Sequence, residues 1–268
     1  MTDPTADEPL NESHADRVLE ETFIEQAEFF AELPSTNDHA LRLATDSVTR
    51  FPLLVVAEEQ TSGRGRRANQ WWSTKGALTF SVVLDTENAG LETKHWPQVA
   101  LTTGLAVCEA IEPLLTGVPP KLKWPNDVYI GERKLCGVLV ETPPGGQQRL
   151  VLGVGVNVNN SLASAPVDLR ETATSLRDSL GRNVLRHNLL VDILQTLAQR
   201  LTWIGSRDDQ LRQRWRARCH LTGRRVQVEN EAGVVAGVCL GIDHDGALLI
   251  EDVHVQHRVL AGTVSILD

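Results

Sequence analysis

Residues 51–57, FPLLVVA, form an almost unbroken apolar run, and they narrow what the chain can fold into more than any other stretch. A short continuous run of this kind reads as a strand buried on both faces, which requires a sheet covered on both sides. The loop that leaves such a strand is well placed to hold a ligand. Here it is residues 60–69, QTSGRGRRAN. Gly63 and Gly65 let the backbone enter left-handed or crowded conformations, so peptide N–H groups could converge into an anion-binding nest. Arg64, Arg66 and Arg67 add forks that match carboxylate and phosphate in two-point geometry. Alone, GRGRR fits either a clamp for a small polyanion or a solvated basic turn of the kind that binds nucleic acid.

The neighbouring segments place this loop in a larger body. Residues 33–38, LPSTND, offer hydroxyl and amide groups before the helical pattern HALRLAT, as an N-cap does, and the same exposed N–H groups could hold a polar ligand. Residues 77–84 alternate as a strand, and residues 96–115 predict a long buried helix ended by Pro119 and Pro120. Residues 121–142 divide into two strand-like runs around Gly131 and Glu132, a hairpin pattern. In LVLGVGVNV, residues 150–158, Gly153 and Gly155 leave room for another group against the backbone. Two helices are expected over 185–204 and 208–219, the second with its arginines on a solvated face. At Gly223 the pattern changes to short β-rich runs separated by turns, which predicts a second domain, a small barrel.

Charge and cysteine usage exclude several classes. Residues 1–32 hold ten acids against a single base, Arg17, which accounts for the whole formal net charge of −9. The rest of the chain is balanced, so a broad nucleic-acid-binding face is not expected. Residues 1–20, acidic and poor in large apolar groups, are expected to be a disordered arm; residues 21–221 form the main domain and 222–268 the barrel. Cys108, Cys136, Cys219 and Cys239 show no metal-ligand spacing or disulfide framework and read as reduced core thiols. With neither a leader pattern nor a long apolar run, the expected location is the cytoplasm.

The second informative segment is Lys123-Trp124-Pro125-Asn126-Asp127, followed by Lys134-Leu135-Cys136-Gly137. Pro125 restricts the backbone and presents Asn126 and Asp127 in a defined direction. Lys134, across the hairpin, can return to the same pocket. A lysine there would offset charge when a carboxylate attacks a phosphate, and Asp127 could orient a magnesium ion or a lysine.

GRGRR-x-x-x-W, KWPND and K-L-x-G, in this order and spacing, resemble the biotin protein ligases over residues 33–268. The resemblance implies an α+β fold: a mixed sheet packed with helices, like the class II aminoacyl-tRNA-synthetase catalytic domain of the biotin and lipoate ligases, plus a small C-terminal SH3-like β-barrel. It implies an AMP-forming enzyme that joins biotin and ATP into biotinyl-5′-AMP with release of pyrophosphate. The biotinyl group then passes to a lysine of a biotin carboxyl carrier protein. Ser35, Thr36, Asn37, Gln60, Gly63, Arg64, Gly65, Arg66, Lys134 and Gly137 match its biotin contacts. Arg66, Asn69, Trp71, Lys123, Asn126, Asp127 and Asn157 match its ATP side, with Asp127 the candidate for Mg²⁺. Lys134 and Arg66 are the catalytic candidates.

The chain departs from the common pattern at Ala68, Asn69 and Thr74, which bears on the adenine contact and the path of the closing loop. The bifunctional members carry a DNA-binding winged helix, whereas the residues before Leu33 are few and acidic, so a ligase without a repressor function is expected, with homodimerisation through a sheet edge open to it. Two other readings stand beside it. One is a lipoate or octanoate ligase or transferase, in which Cys136 would be the nucleophile; the other is a non-enzymatic nucleic-acid-binding protein using the arginine loop and the barrel.

Overall fold

The computed structural model describes residues 8–145, 148–163, 165–205, 209–253 and 255–267. In chain order the elements are α1 (Ala15–Glu21), β1 (Gln26–Leu33), α2 (Thr36–Leu43), β2 (Leu53–Gln60), β3 (Leu78–Asp85), α3 (Trp96–Ile111), β4 (Lys121–Lys123), β5 (Asp127–Ile130), β6 (Arg133–Glu141) and β7 (Arg149–Val156). There follow α4 (Val167–Thr172), α5 (Leu176–Leu180), α6 (Arg186–Leu201), α7 (Gln210–Arg218), β8 (Arg225–Asn230), β9 (Gly233–Ile242), β10 (Leu248–Asp252), β11 (Val255–Val259) and β12 (Thr263–Ile266).

The first seven strands form one mixed sheet in the order β1-β2-β3-β7-β6-β5-β4. Only β1 and β2 run parallel, joined through α2, and the remaining pairs are antiparallel. The apolar run of β2 explains itself here. Leu53, Val55 and Ala57 pack beneath α2 with Ala40 and Ala44, while Leu54 and Val56 face the larger core with Phe80 and Val82. A strand covered on both sides has no polar face, hence no alternation. On that larger face α3 lies against α6 and β6.

The last five strands make a separate antiparallel sheet, ordered β11-β10-β9-β8-β12. Its inward residues, among them Val226, Val228, Leu248 and Ile250, join the larger core rather than closing a core of their own. Two hydrogen bonds fasten the flanking segments of the two sheets: the His220 backbone N donates to Leu122 O at 2.7 Å, and the Trp124 indole Nε1 donates to Gly246 O at 3.0 Å.

Two expectations need correction. The acidic arm is not disordered from Glu8 onward, the first seven residues lying outside the described ones. Leu10 and Val18 are buried, and α1 follows a turn capped by Asn11. What holds it is a buried ion pair, Arg186 to Glu58 at 2.9 Å. Leu10 N donates to Glu58 Oε2 at 3.0 Å, and Arg186 donates to the Glu8 carbonyl at 3.2 Å. Buried charges demand further partners, and the arm's backbone supplies them where its composition could not predict it. The α7 arginines, in turn, are not simply solvated: Arg214 pairs with Glu109 and Arg218 with Glu112, both at 2.6 Å, tying α7 to the α3 end.

Candidate active site

A cavity of about 270 Å³ opens between the glycine and arginine loop, the C-terminal halves of β6 and β7, and the start of β12. Of the residues singled out in the sequence, Ser35, Thr36, Asn37, Gln60, Arg64, Gly65, Arg66, Asn69, Trp71, Lys123, Asn126, Asp127, Lys134 and Gly137 line it. Two do not. Gly63 lies behind the loop, where an added methyl would fall 2.7 Å from Trp71 O. Asn157 turns its Oδ1 to Asn160 and its backbone to Leu135 and Leu176, so it organises the end of β7 instead.

One wall is neutral. Ser35 caps α2, its Oγ accepting from Asp38 N at 3.3 Å. Gln60 Oε1 accepts from Thr36 N at 2.7 Å and from the Thr36 hydroxyl at 3.1 Å. Asn37, almost wholly buried, lies flat against β7, because Gly153 carries no side chain: a methyl there would sit 2.1 Å from Asn37 Oδ1. Gly155 does the same for Trp71, whose indole would be 2.3 Å from an added methyl. The close approach read from the two glycines thus has its partners.

The glycine loop is built differently from the expected nest. Gly65 N donates to Asn69 O at 2.7 Å and Trp71 N to Gly63 O at 2.9 Å, so the loop folds back on itself as a short ladder. Gly65 is extended, and the left-handed residue is Arg67, at φ 52°. The Gly65 and Trp71 N–H groups are thus already taken, and the loop offers the cavity its arginine side chains rather than converging peptide N–H groups. Arg66 crosses the cavity to Asn126 Oδ1 at 3.1 Å and reaches the Gly262 carbonyl at 3.3 Å, while Arg67 donates to Thr263 Oγ1 at 2.5 Å. Thr263 and Val264 therefore line the cavity from some 190 residues away, and nothing in the local sequence announces them.

The opposite wall is charged. The β5–β6 pairing, with its irregularity between Val128 and Tyr129, brings Lys134 Nζ to 2.7 Å from Asp127 Oδ1. At that distance the ammonium and the carboxylate form a close, charge-assisted ion pair. Gly137 makes space for the lysine, since a methyl there would lie 3.2 Å from Nζ. Burial, reinforced by Lys134, pulls the Lys123 ammonium below its usual pKa against the pull of Asp127. Burial and then Arg67 do the same to Arg66. Cations held this way gain most from an anionic ligand. Trp71 Nε1 also has no hydrogen-bond partner among the described residues.

Cys136 is fully buried in the core, and burial pushes its thiol well above the usual value. A thiol in that state is a poor nucleophile.

Comparison with known proteins agrees with this geometry. Residues 30–159 match the biotin/lipoate A/B protein ligase family, and residues 221–267 match the biotin protein ligase C-terminal domain. The biotin–[acetyl-CoA-carboxylase] ligase of Mycobacterium tuberculosis is 34% identical over 231 residues, covering 84% of this chain and 83% of that protein. The bifunctional ligase/repressor of Bacillus subtilis is 30% identical, over 82% of this chain and 67% of its own. Among solved structures, the biotin protein ligase of Aquifex aeolicus in complex with biotin and ATP superposes with a TM-score of 0.78 at 30% identity. The match covers 91% of this chain and 99% of that one.

Proposed function

The chain belongs to the biotin protein ligase family, and from that premise we infer that it activates biotin with ATP, forming biotinyl-5′-AMP and pyrophosphate, and then transfers the biotinyl group to a lysine of a biotin carboxyl carrier protein, releasing AMP. The observation that carries this reading is the division of one cavity into a neutral wall and a charged wall. The neutral wall, Ser35 to Asn37 with Gln60, suits the uncharged ureido ring of biotin. The charged wall, Arg66, Lys123 and Lys134, suits the place where a carboxylate and a triphosphate must meet.

Carboxylate and α-phosphate repel each other, and their reaction needs positive charge and exclusion of water. In this proposal Lys134 lies between the two anions, close enough to offset the charge on both. Arg66 covers the product. Because Arg66 is tied to Asn126 on one side and Gly262 on the other, it works as a bar across the cavity, and the acyl phosphate formed beneath it is kept from water and from stray lysines. Asp127, a carboxylate lining the cavity beside Lys134, fits Mg²⁺, which needs only one or two protein carboxylates besides phosphate and water. The ion would bring ATP with its phosphate charge partly neutralised.

The burial of Cys136 removes the support for a cysteine-based octanoyl transferase. The proposed setting is the cytoplasm, with no DNA partner; no helix among the described residues is long and apolar enough to cross a membrane, and the charge is balanced beyond residue 32. The test is ATP–pyrophosphate exchange with biotin, lipoate or octanoate as the acid. Exchange with biotin alone is the expected result, and exchange with lipoate or octanoate but not biotin would overturn the reading.

A further inference from the structure

Glu141, the last residue of β6, has no role in the reading above, yet it accepts three hydrogen bonds from two side chains. Its Oε1 and Oε2 accept from Arg64 Nη1 and Nη2 at 3.1 and 2.7 Å, and Oε2 also accepts from Asn37 Nδ2 at 2.8 Å. Arg64 is steadied in turn by Asp38 at 2.7 Å. The guanidinium therefore serves Glu141 and Asp38, and the carboxylate is held against the buried Asn37.

An amide side chain has two ends of nearly equal shape and opposite polarity, so its neighbours decide which way it faces. An ionised carboxylate can only accept. By taking Nδ2, Glu141 obliges Asn37 Oδ1 to face the other way, against Gly153 and 2.6 Å from Ser81 Oγ. Ser81 has one hydroxyl proton and a second close oxygen, Thr36 Oγ1 at 2.8 Å. Since Asn37 Oδ1 has no proton to give, that of Ser81 is committed to it. The chosen orientation is thus passed inward from β6 through Asn37 to Ser81, beside Thr36 and Gln60. Two of the oxygens ordered in this way, Asn37 Oδ1 and Thr36 Oγ1, belong to residues that line the cavity.

We propose that Glu141 is a positioning residue for substrate selection: it fixes the Asn37 amide so that the neutral wall offers acceptors to the N–H groups of the ureido ring. This rests on the biotin reading above and adds a residue to it. The carboxylate touches neither substrate nor reacting atoms. It acts by removing the alternative amide orientation, in which Nδ2 would face Ser81 and a ureido N–H would meet a donor in place of an acceptor.

The test uses the intact protein and pyrophosphate exchange at saturating ATP. In Glu141→Gln only the long contact from Asn37 Nδ2 to the Leu139 carbonyl, 3.5 Å, still favours one orientation of the amide, so the biotin KM rises about tenfold, the worth of one oriented hydrogen bond, while kcat stays within about threefold. Discrimination against biotin methylated on a ureido nitrogen shrinks. Asn37→Asp alone sets two carboxylates against each other and raises KM at least as much. The double variant Asn37→Asp/Glu141→Gln restores the pairing with reversed roles, because the amide introduced on β6 can donate to a carboxylate on α2 that accepts on every side; its KM returns to within about threefold of wild type. A double variant no better than the worse single variant overturns the proposal, as does a Glu141→Gln KM within twofold of wild type. If Glu141→Gln alone does not fold, Asn37→Asp and the double variant decide on the same criterion. Wild-type protein without biotin-dependent exchange would instead overturn the biotin reading, a separate result.

Discussion

The two walls of the cavity differ in how far their polar groups are satisfied before any ligand arrives. On the neutral wall Thr36, Asn37, Gln60, Ser81 and Glu141 already bond to one another. On the charged wall Lys123 and Arg66 are held below their usual pKa values, and Trp71 Nε1 has no hydrogen-bond partner among the described residues. The first wall is preorganised, so a ligand meets fixed geometry and loses little freedom in being recognised. The second is held in an unfavourable state that an anion relieves. In the proposed reaction, recognition and activation are thereby separated in space, and substitutions on the two walls should change different parameters.

The largest effect is expected from Lys134→Ala. Pyrophosphate exchange falls by about 10²–10³, the loss typical of removing one charge-stabilising donor, while biotin still binds in a direct titration. Near-normal exchange would erase the distinction between the walls. Gly153→Ala attacks the other wall, forcing a methyl into Asn37. Overpacking costs about 1–3 kcal/mol, so the biotin KM should rise roughly 10–100-fold with the ATP KM little changed; equal rises in both would show that the walls are not independent. Arg66→Gly removes the bar across the roof. It should release adenylate and label bystander lysines several-fold more than wild type, and labelling at the wild-type level would contradict the role given to the bar.

The smallest effect lies outside the cavity, at His220, stacked on Tyr129 with Glu132 at 3.3 Å. Burial lowers its pKa against the pull of Glu132. The unfolded chain therefore takes up a proton before the folded one does, and stability falls as pH drops below the ordinary imidazole range near 6.5. In melts from pH 7 to pH 5.5, His220→Gln should lose about 1 °C less than wild type. No difference would show that this interface does not sense pH.

How far the fold could be read from residues alone follows from how local the cause was. The two-sided burial of β2 was visible in FPLLVVA because both faces of one strand must be apolar. The meeting of Lys134 with Asp127 was visible because a hairpin brings near neighbours together. Glu141 was not, since a glutamate at a strand end looks like any solvated charge until α2 is packed beside it. Nor were Thr263 and Val264, or the anchoring of the arm on Arg186 and Glu58, whose partners are distant in sequence. The glycines at 63 and 65 were read as sources of left-handed backbone; they supply room instead, and Arg67 takes the left-handed conformation.

The fastening of Arg66 to Gly262 and of Arg67 to Thr263 also carries a consequence in time. A ribosome makes those anchoring residues nearly 200 residues after the arginines they hold, so a growing chain can already carry every lysine and glycine of the cavity while its roof has nothing to close on. The intermediate of the proposed reaction can be sheltered only once Gly262 and Thr263 are in place, and a copy cut short before them that still formed it would leak it onto nearby lysines, as Arg66→Gly is expected to do.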